Sequence, residues 1–155
     1  MTLLVVRHAR AGSRKEWKGP DIERPLSKKG HRQAEGLVEI VAPCPVERIA
    51  SSPYVRCVQT VEPLAEARGL EVELRPELAE GAAIEDVLAL VRDLAGTPAA
   101  VCTHGDIVPA ILYGLADQDG LDLPEDPPYP KGSVWVLEEV DGRFKSAKYL
   151  PPPAQ

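Results

Sequence analysis

Short apolar runs alternate with stretches of helical period along most of this chain. Residues 2–6 form an apolar run, the pattern of a strand covered on both faces. A polar, glycine-containing loop occupies residues 9–25. Ser27 is then placed to cap a helix whose apolar face is Ala34, Leu37, Val38 and Val41, at i, i+3, i+4 and i+7. Pro43 and Pro45 end it, and residues 46–50 read as a short strand. Ser52-Pro53 predicts a helix start, with serine as cap and proline in the first helical position. That helix is expected to reach Arg68 and stop at Gly69.

Residues 70–74 alternate apolar and acidic side chains, as in a half-exposed strand. Val87, Leu88, Val91, Leu94 and Ala95 mark the next helix, stopped by Gly96. Residues 99–103 predict a second buried strand, and residues 106–115 a further helix with Pro109 in its first turn. Residues 121–130, rich in proline and acid, read as a surface loop that either covers or flanks what lies nearby. Residues 134–137 and 144–149 flank Asp141-Gly142, a hairpin signal. Pro151-Pro152-Pro153 reads as a frayed tail. Repeated strand–helix units predict an α/β fold, a three-layer sandwich with a mainly parallel central sheet, helices on both faces and a C-terminal hairpin.

The 155 residues are expected to form a single domain spanning 1–155. With 44% hydrophobic and 27% charged residues, the composition is that of a globular protein. A net charge of −6 argues against a nucleic-acid polymer as partner but leaves room for a locally basic pocket. No apolar run has the length of a membrane span, and no secretory signal is visible. Cys44, Cys57 and Cys102 lack metal-ligand spacing and read as reduced thiols, so a cytoplasmic protein is expected.

The candidate chemistry lies at strand tips. The run Leu3-Leu4-Val5-Val6 ends in Arg7-His8, and residues 99–103 end in His104. In a parallel sheet ligands bind at the carboxyl ends of the strands. There, two imidazoles with guanidinium groups suit a phosphoryl group. Arg56 follows another strand, near a helix start whose amides favour an anion. His31, among Lys28, Lys29 and Arg32, reads as a surface residue. Cys57, beside Arg56, lacks the glycine-rich loop of a cysteine phosphatase.

Five segments together resemble the histidine phosphatase superfamily. Arg7-His8-Ala9 resembles its Arg-His-Gly signature, with alanine where glycine is usual. Residues 25–34 are similar to its Leu-Ser/Thr-x-x-Gly-x-x-Gln-Ala helix start. Residues 51–60 resemble its Ser-Ser-Pro-x-x-Arg-x-x-Gln-Thr motif, Leu78-Ala79-Glu80 its acid-bearing segment, and Thr103-His104-Gly105 its second histidine motif. Large insertions are absent. That resembles the compact branch, namely SixA-type phosphohistidine phosphatases and the phosphatase domains of actinobacterial MutT-like Nudix proteins. No Nudix signature is present.

The resemblance implies a metal-independent phosphatase without cofactor. His8 would be the nucleophile, Arg7 and Arg56 the phosphate clamp, and His104 a member of both the catalytic and the phosphate-binding set. Glu80 is expected to be the proton donor, with Glu77 as the neighbouring alternative. Arg14 and Lys15 are expected to bind substrate. The substrate expected is a small phosphomonoester or phosphoanhydride, nucleotides included. The alternative is a phosphohistidine protein; a mutase or a non-catalytic phosphate-binding module ranks lower. The oligomeric state stays open.

Overall fold

The computed structural model describes residues 1–154, so Gln155 lies outside the described residues. Six strands form one sheet: β1 (Thr2–Arg7), β2 (Arg48–Ser51), β3 (Val72–Leu74), β4 (Ala99–Thr103), β5 (Val134–Val140) and β6 (Arg143–Leu150). Their order across the sheet is β3-β2-β4-β1-β5-β6. The first four strands of that order are parallel; β5 and β6 add antiparallel to the edge. Four helices accompany them: α1 (Lys28–Ile40), α2 (Val55–Arg68), α3 (Ile84–Leu94) and α4 (Ile107–Asp119).

The alternation of side chains along β1 divides the core. Leu3 and Val5 pack with Val87 and Val91 of α3 and with Ile111 and Leu112 of α4. Leu4 and Val6 point the other way, onto Leu37 of α1 and Val61 and Leu64 of α2. Helices therefore cover both faces, which is why β1 and β4 carry no polar alternation. The predicted three-layer α/β architecture is what the chain adopts.

Local chemistry sets several element ends. Ser27 Oγ accepts the Gly30 amide and caps α1 as expected. Gly69 ends α2 in the left-handed region at φ 66°. Asp141 and Gly142 both have positive φ, 52° and 81°, as a tight hairpin turn of primed type requires.

Three expectations need correction. Helix α2 begins at Val55, and Tyr54 at its N-cap makes no side-chain cap bond. The Ser52 hydroxyl instead lies 2.8 Å from His104 Nε2 and accepts the Tyr54 amide at 3.3 Å, ahead of the first helical residue. Helix α4 runs to Asp119, one turn past the expected end, where Gly120 stops it at φ 73°. The proline tail is packed: a Cβ at Gly36 would lie 2.7 Å from Cβ of Pro153.

Candidate active site

Sheet register brings the candidate residues together. Arg7 pairs with Thr103 across the parallel β1–β4 ladder, and the His8 amide donates to the Thr103 carbonyl at 3.0 Å. The next residue on each strand is a histidine, so the two rings meet edge to face with centroids 5.5 Å apart. Ser51 of β2 pairs with Cys102 of β4, and the Ser52 amide donates to the Cys102 carbonyl. This carries the start of α2, with Arg56, to the same sheet edge. A cavity of about 270 Å³ opens there, lined by Arg7, His8, Arg56, Glu80 and His104 among others.

His8 is buried, and its Nδ1 lies 2.7 Å from the Ala9 carbonyl oxygen. A carbonyl only accepts, so Nδ1 carries the proton and Nε2 keeps its lone pair. Burial lowers the His8 pKa from 6.5 to about 3; the Ala9 bond opposes the shift, while the positive charges of His104, Arg56 and Arg7 reinforce it. The neutral form of the ring is thus held at neutral pH. Ala9 in turn donates its amide to Thr60 Oγ1 at 2.9 Å. It is not among the described residues with positive φ, which is why alanine serves where glycine is usual in the motif.

One consequence is measurable by NMR. The His8 ring signals are expected to stay those of neutral imidazole throughout the range from pH 7 to pH 5. A midpoint near the ordinary 6.5 would contradict the geometry. The folded chain protonates His8 near 3 and the unfolded chain near 6.5, so between these values the unfolded state binds more protons. The stabilising contribution is therefore complete above the upper value and declines as pH falls toward the lower one.

Two of the guanidinium groups that line the cavity belong to Arg7 and Arg56. Arg7 donates from Nη1 to the Tyr129 carbonyl at 3.0 Å, and its Nε is buried without a partner. Gly105 is needed for that placement: a Cβ there would lie 2.6 Å from Arg7 Nη2. Arg56 is 1% exposed. Its Nη1 donates to the Asp21 carbonyl at 3.0 Å, and its Nη2 reaches Asp21 Oδ2 and Glu80 Oε2, each at 3.2 Å. Its guanidinium also lies over the Tyr54 ring, 4.8 Å from the centroid. Its Nε, like that of Arg7, is buried and unpartnered.

His104 is 2% exposed, with Nε2 2.8 Å from Ser52 Oγ and Nδ1 buried without a partner. His104 Nδ1 thus joins Arg7 Nε and Arg56 Nε as a buried nitrogen without a partner, and each such atom costs free energy while it stays unpaired.

The remaining candidates separate by position. Glu80 lines the cavity. Glu77 does not; it bonds Arg75 at 2.8 Å, and that guanidinium holds its carboxyl below the usual value. Arg14 lines the cavity, whereas Lys15 is exposed and lies off it. Cys57 is buried behind His104, its Sγ 3.5 Å from Nε2 and away from the cavity wall. The 121–130 loop flanks the site: Tyr129 anchors Arg7, while Lys131, just past the loop, lines the cavity.

Sequence reasoning missed Asp21, Arg24, Asp106 and Lys131. Asp21 Oδ1 takes Arg24 Nε at 3.0 Å while Oδ2 takes Arg56, so one loop carboxylate orients two arginines. Asp106 accepts the Gly81 amide at 2.8 Å and secures the loop that carries Glu80. Asp21 lies in a single 3-10 turn, Arg24 and Lys131 lie outside the helices and strands, and Asp106 directly precedes α4. Their charge was the one signal available. Among the described residues, no three His, Cys, Asp or Glu side chains are grouped to hold a metal ion. No helix among them is long and apolar enough to cross a membrane.

Comparison with known proteins places this geometry. An 8-oxo-(d)GTP phosphatase of Mycolicibacterium smegmatis is 38% identical over 157 residues, covering 98% of this chain and 48% of that protein. The chain thus spans about half the length of that relative. The protein histidine phosphatase SixA, complexed with tungstate, superposes with a TM-score of 0.75 at 21% identity, over 98% of this chain and 96% of the other. A mycobacterial glucosyl-3-phosphoglycerate phosphatase, in complexes with VO3, gives 0.73 at 16% identity, over 96% of each chain. These two likenesses are likenesses of fold. Residues 3–85, more than half of the sequence and inclusive of His8, Arg56 and Glu80, match the histidine phosphatase superfamily, branch 1, and the chain belongs to that superfamily.

Proposed function

We propose that this chain is a single phosphatase domain that removes the phosphoryl group of a small phosphomonoester or phosphoanhydride through a phosphohistidine on His8. The observation that carries this reading is the tautomer of His8. Its Nδ1 is committed to the Ala9 carbonyl, which leaves Nε2 as the nucleophile. Nε2 attacks phosphorus, the bond to the leaving oxygen breaks, and Glu80 supplies that oxygen with a proton. Arg7, Arg56 and His104 hold the non-bridging oxygens while charge shifts among them. Water then attacks the phosphohistidine, Glu80 takes the proton from that water, the P–N bond breaks and neutral His8 returns.

Nucleotides are a natural substrate class. Arg14, Arg24 and Lys131 widen the basic lining beyond what one phosphoryl group engages, and the Mycolicibacterium relative is named for a nucleotide substrate. A phosphohistidine protein is the second reading. It is favoured by the 121–130 loop, which bonds Arg7 through Tyr129 while none of its residues lines the cavity. A cytoplasmic setting fits three cysteines without a disulfide pattern.

A panel of nucleotides, sugar phosphates and a phosphohistidine protein, each with chelator, tests the reading. Phosphate release from small molecules is expected. Release from the phosphoprotein alone would overturn it in favour of the second reading. Glu80→Gln is expected to lower kcat/KM about 10²-fold or more on alkyl phosphates, the scale of general-acid assistance, and little on activated aryl phosphates. Equal losses on both would remove Glu80 as proton donor.

A further inference from the structure

The cradle described above leaves cations over. Arg7, Arg56, His8 and His104 suffice for the oxygens of one phosphoryl group. The same cavity is also lined by Arg14, Arg24 and Lys131. These sit on two separate segments, the 9–25 loop and the residue just past the 121–130 loop.

Their counter-charge is thin. Asp21 is the carboxylate shared by Arg24 at 3.0 Å, Arg56 at 3.2 Å and Arg14 at 3.9 Å. Glu80, a carboxylate of the cavity wall, is paired with Arg56 at 3.2 Å. Asp106 accepts the Gly81 amide, and its charge acts on Arg7. Among the described residues, the Lys131 ammonium has no hydrogen bond or ion pair. Partial desolvation on the cavity wall lowers its pKa from the ordinary value, and the cations of Arg7, Arg10, Arg24 and Arg14 push it the same way. On a chain with a net charge of −6, a lysine surrounded by arginines is not an average of the surface. Like charges brought together repel, and a bound anion relieves the repulsion.

We propose that Lys131, with Arg14 and Arg24, forms a second anion subsite that takes the adjoining phosphate of a phosphoanhydride, a diphosphate or longer. This rests on the reading of the His8 site as a phosphatase site. In that reaction the terminal phosphoryl passes to His8 Nε2 as the anhydride P–O bond breaks. The bridging oxygen leaves on the second phosphate, where Lys131 and the two arginines meet its new charge. Simple monoesters leave the subsite empty.

Isothermal titration calorimetry with methylenediphosphonate, a diphosphate mimic that is not hydrolysed, and with orthophosphate tests this directly. The native chain is expected to bind the diphosphonate about tenfold tighter or better. Lys131→Met and Arg14→Gln, both at exposed positions, are each expected to weaken the diphosphonate about tenfold and orthophosphate by less than about twofold. Equal affinity for the two ligands, or equal losses on both, would overturn the subsite. Turnover of 4-nitrophenyl phosphate by the native chain is measured alongside. If turnover is absent while the binding pattern holds, the phosphatase reading falls and the subsite stands. If turnover is present and the pattern fails, the subsite alone falls.

Discussion

His8→Ala is expected to lower kcat by roughly 10⁵-fold, the scale on which removal of a catalytic nucleophile acts when the binding groups remain. That is about 7 kcal/mol of barrier. The loss is large because nothing nearby can replace Nε2. His104 keeps its Nε2 against Ser52 at 2.8 Å, and Cys57 is buried behind that ring. Substrate binding should change far less, since Arg7 and Arg56 keep their own anchors at Tyr129 and Asp21. Steady-state kinetics with orthophosphate inhibition check both parts. Near-native turnover in this variant would remove the covalent mechanism.

Arg56→Ala is expected to cost roughly 10³-fold in kcat/KM, about 4 kcal/mol of transition-state stabilisation. Arg56 donates through a planar fork already aimed by Asp21 and stacked over Tyr54. A charge fixed before the reaction needs no reorganisation during it. Arg56→Lys keeps the charge but loses the fork and the Asp21 geometry, so most of the loss should remain. Thermal denaturation separates this from misfolding. Asp21 and Glu80 are each about two-fifths exposed, at 40% and 42%, so water can take over when their partner is removed. A loss of activity matched by loss of the folded state would point to a structural role instead.

Much of this was legible in the sequence where burial is two-sided. Strands β1 and β4 are covered by helices on both faces, and each apolar run is followed by a histidine that lines the cavity. Asp141-Gly142 announced its turn because positive φ at both positions is rare outside such pairs. The start of α2 misled for a physical reason. Ser52-Pro53 has the composition of a cap, but the serine hydroxyl accepts the Tyr54 amide and meets His104, just past β4, and periodicity carries no trace of such a contact. Glu77 and Glu80 could not be ranked until the backbone set their directions, one to Arg75 and one to the cavity. Asp21 and Lys131 lie in polar segments without period, so their convergence on the site is a property of the folded chain.

The central claim is that phosphate passes through His8. Rapid quenching of the reaction with ³²P-labelled substrate, followed by peptide mapping under alkaline conditions, tests it most directly. The predicted result is an acid-labile, base-stable phosphate on the peptide that contains His8, formed at a rate competent for turnover. Turnover without any labelled peptide, or label on the peptide that contains Cys57, would contradict it.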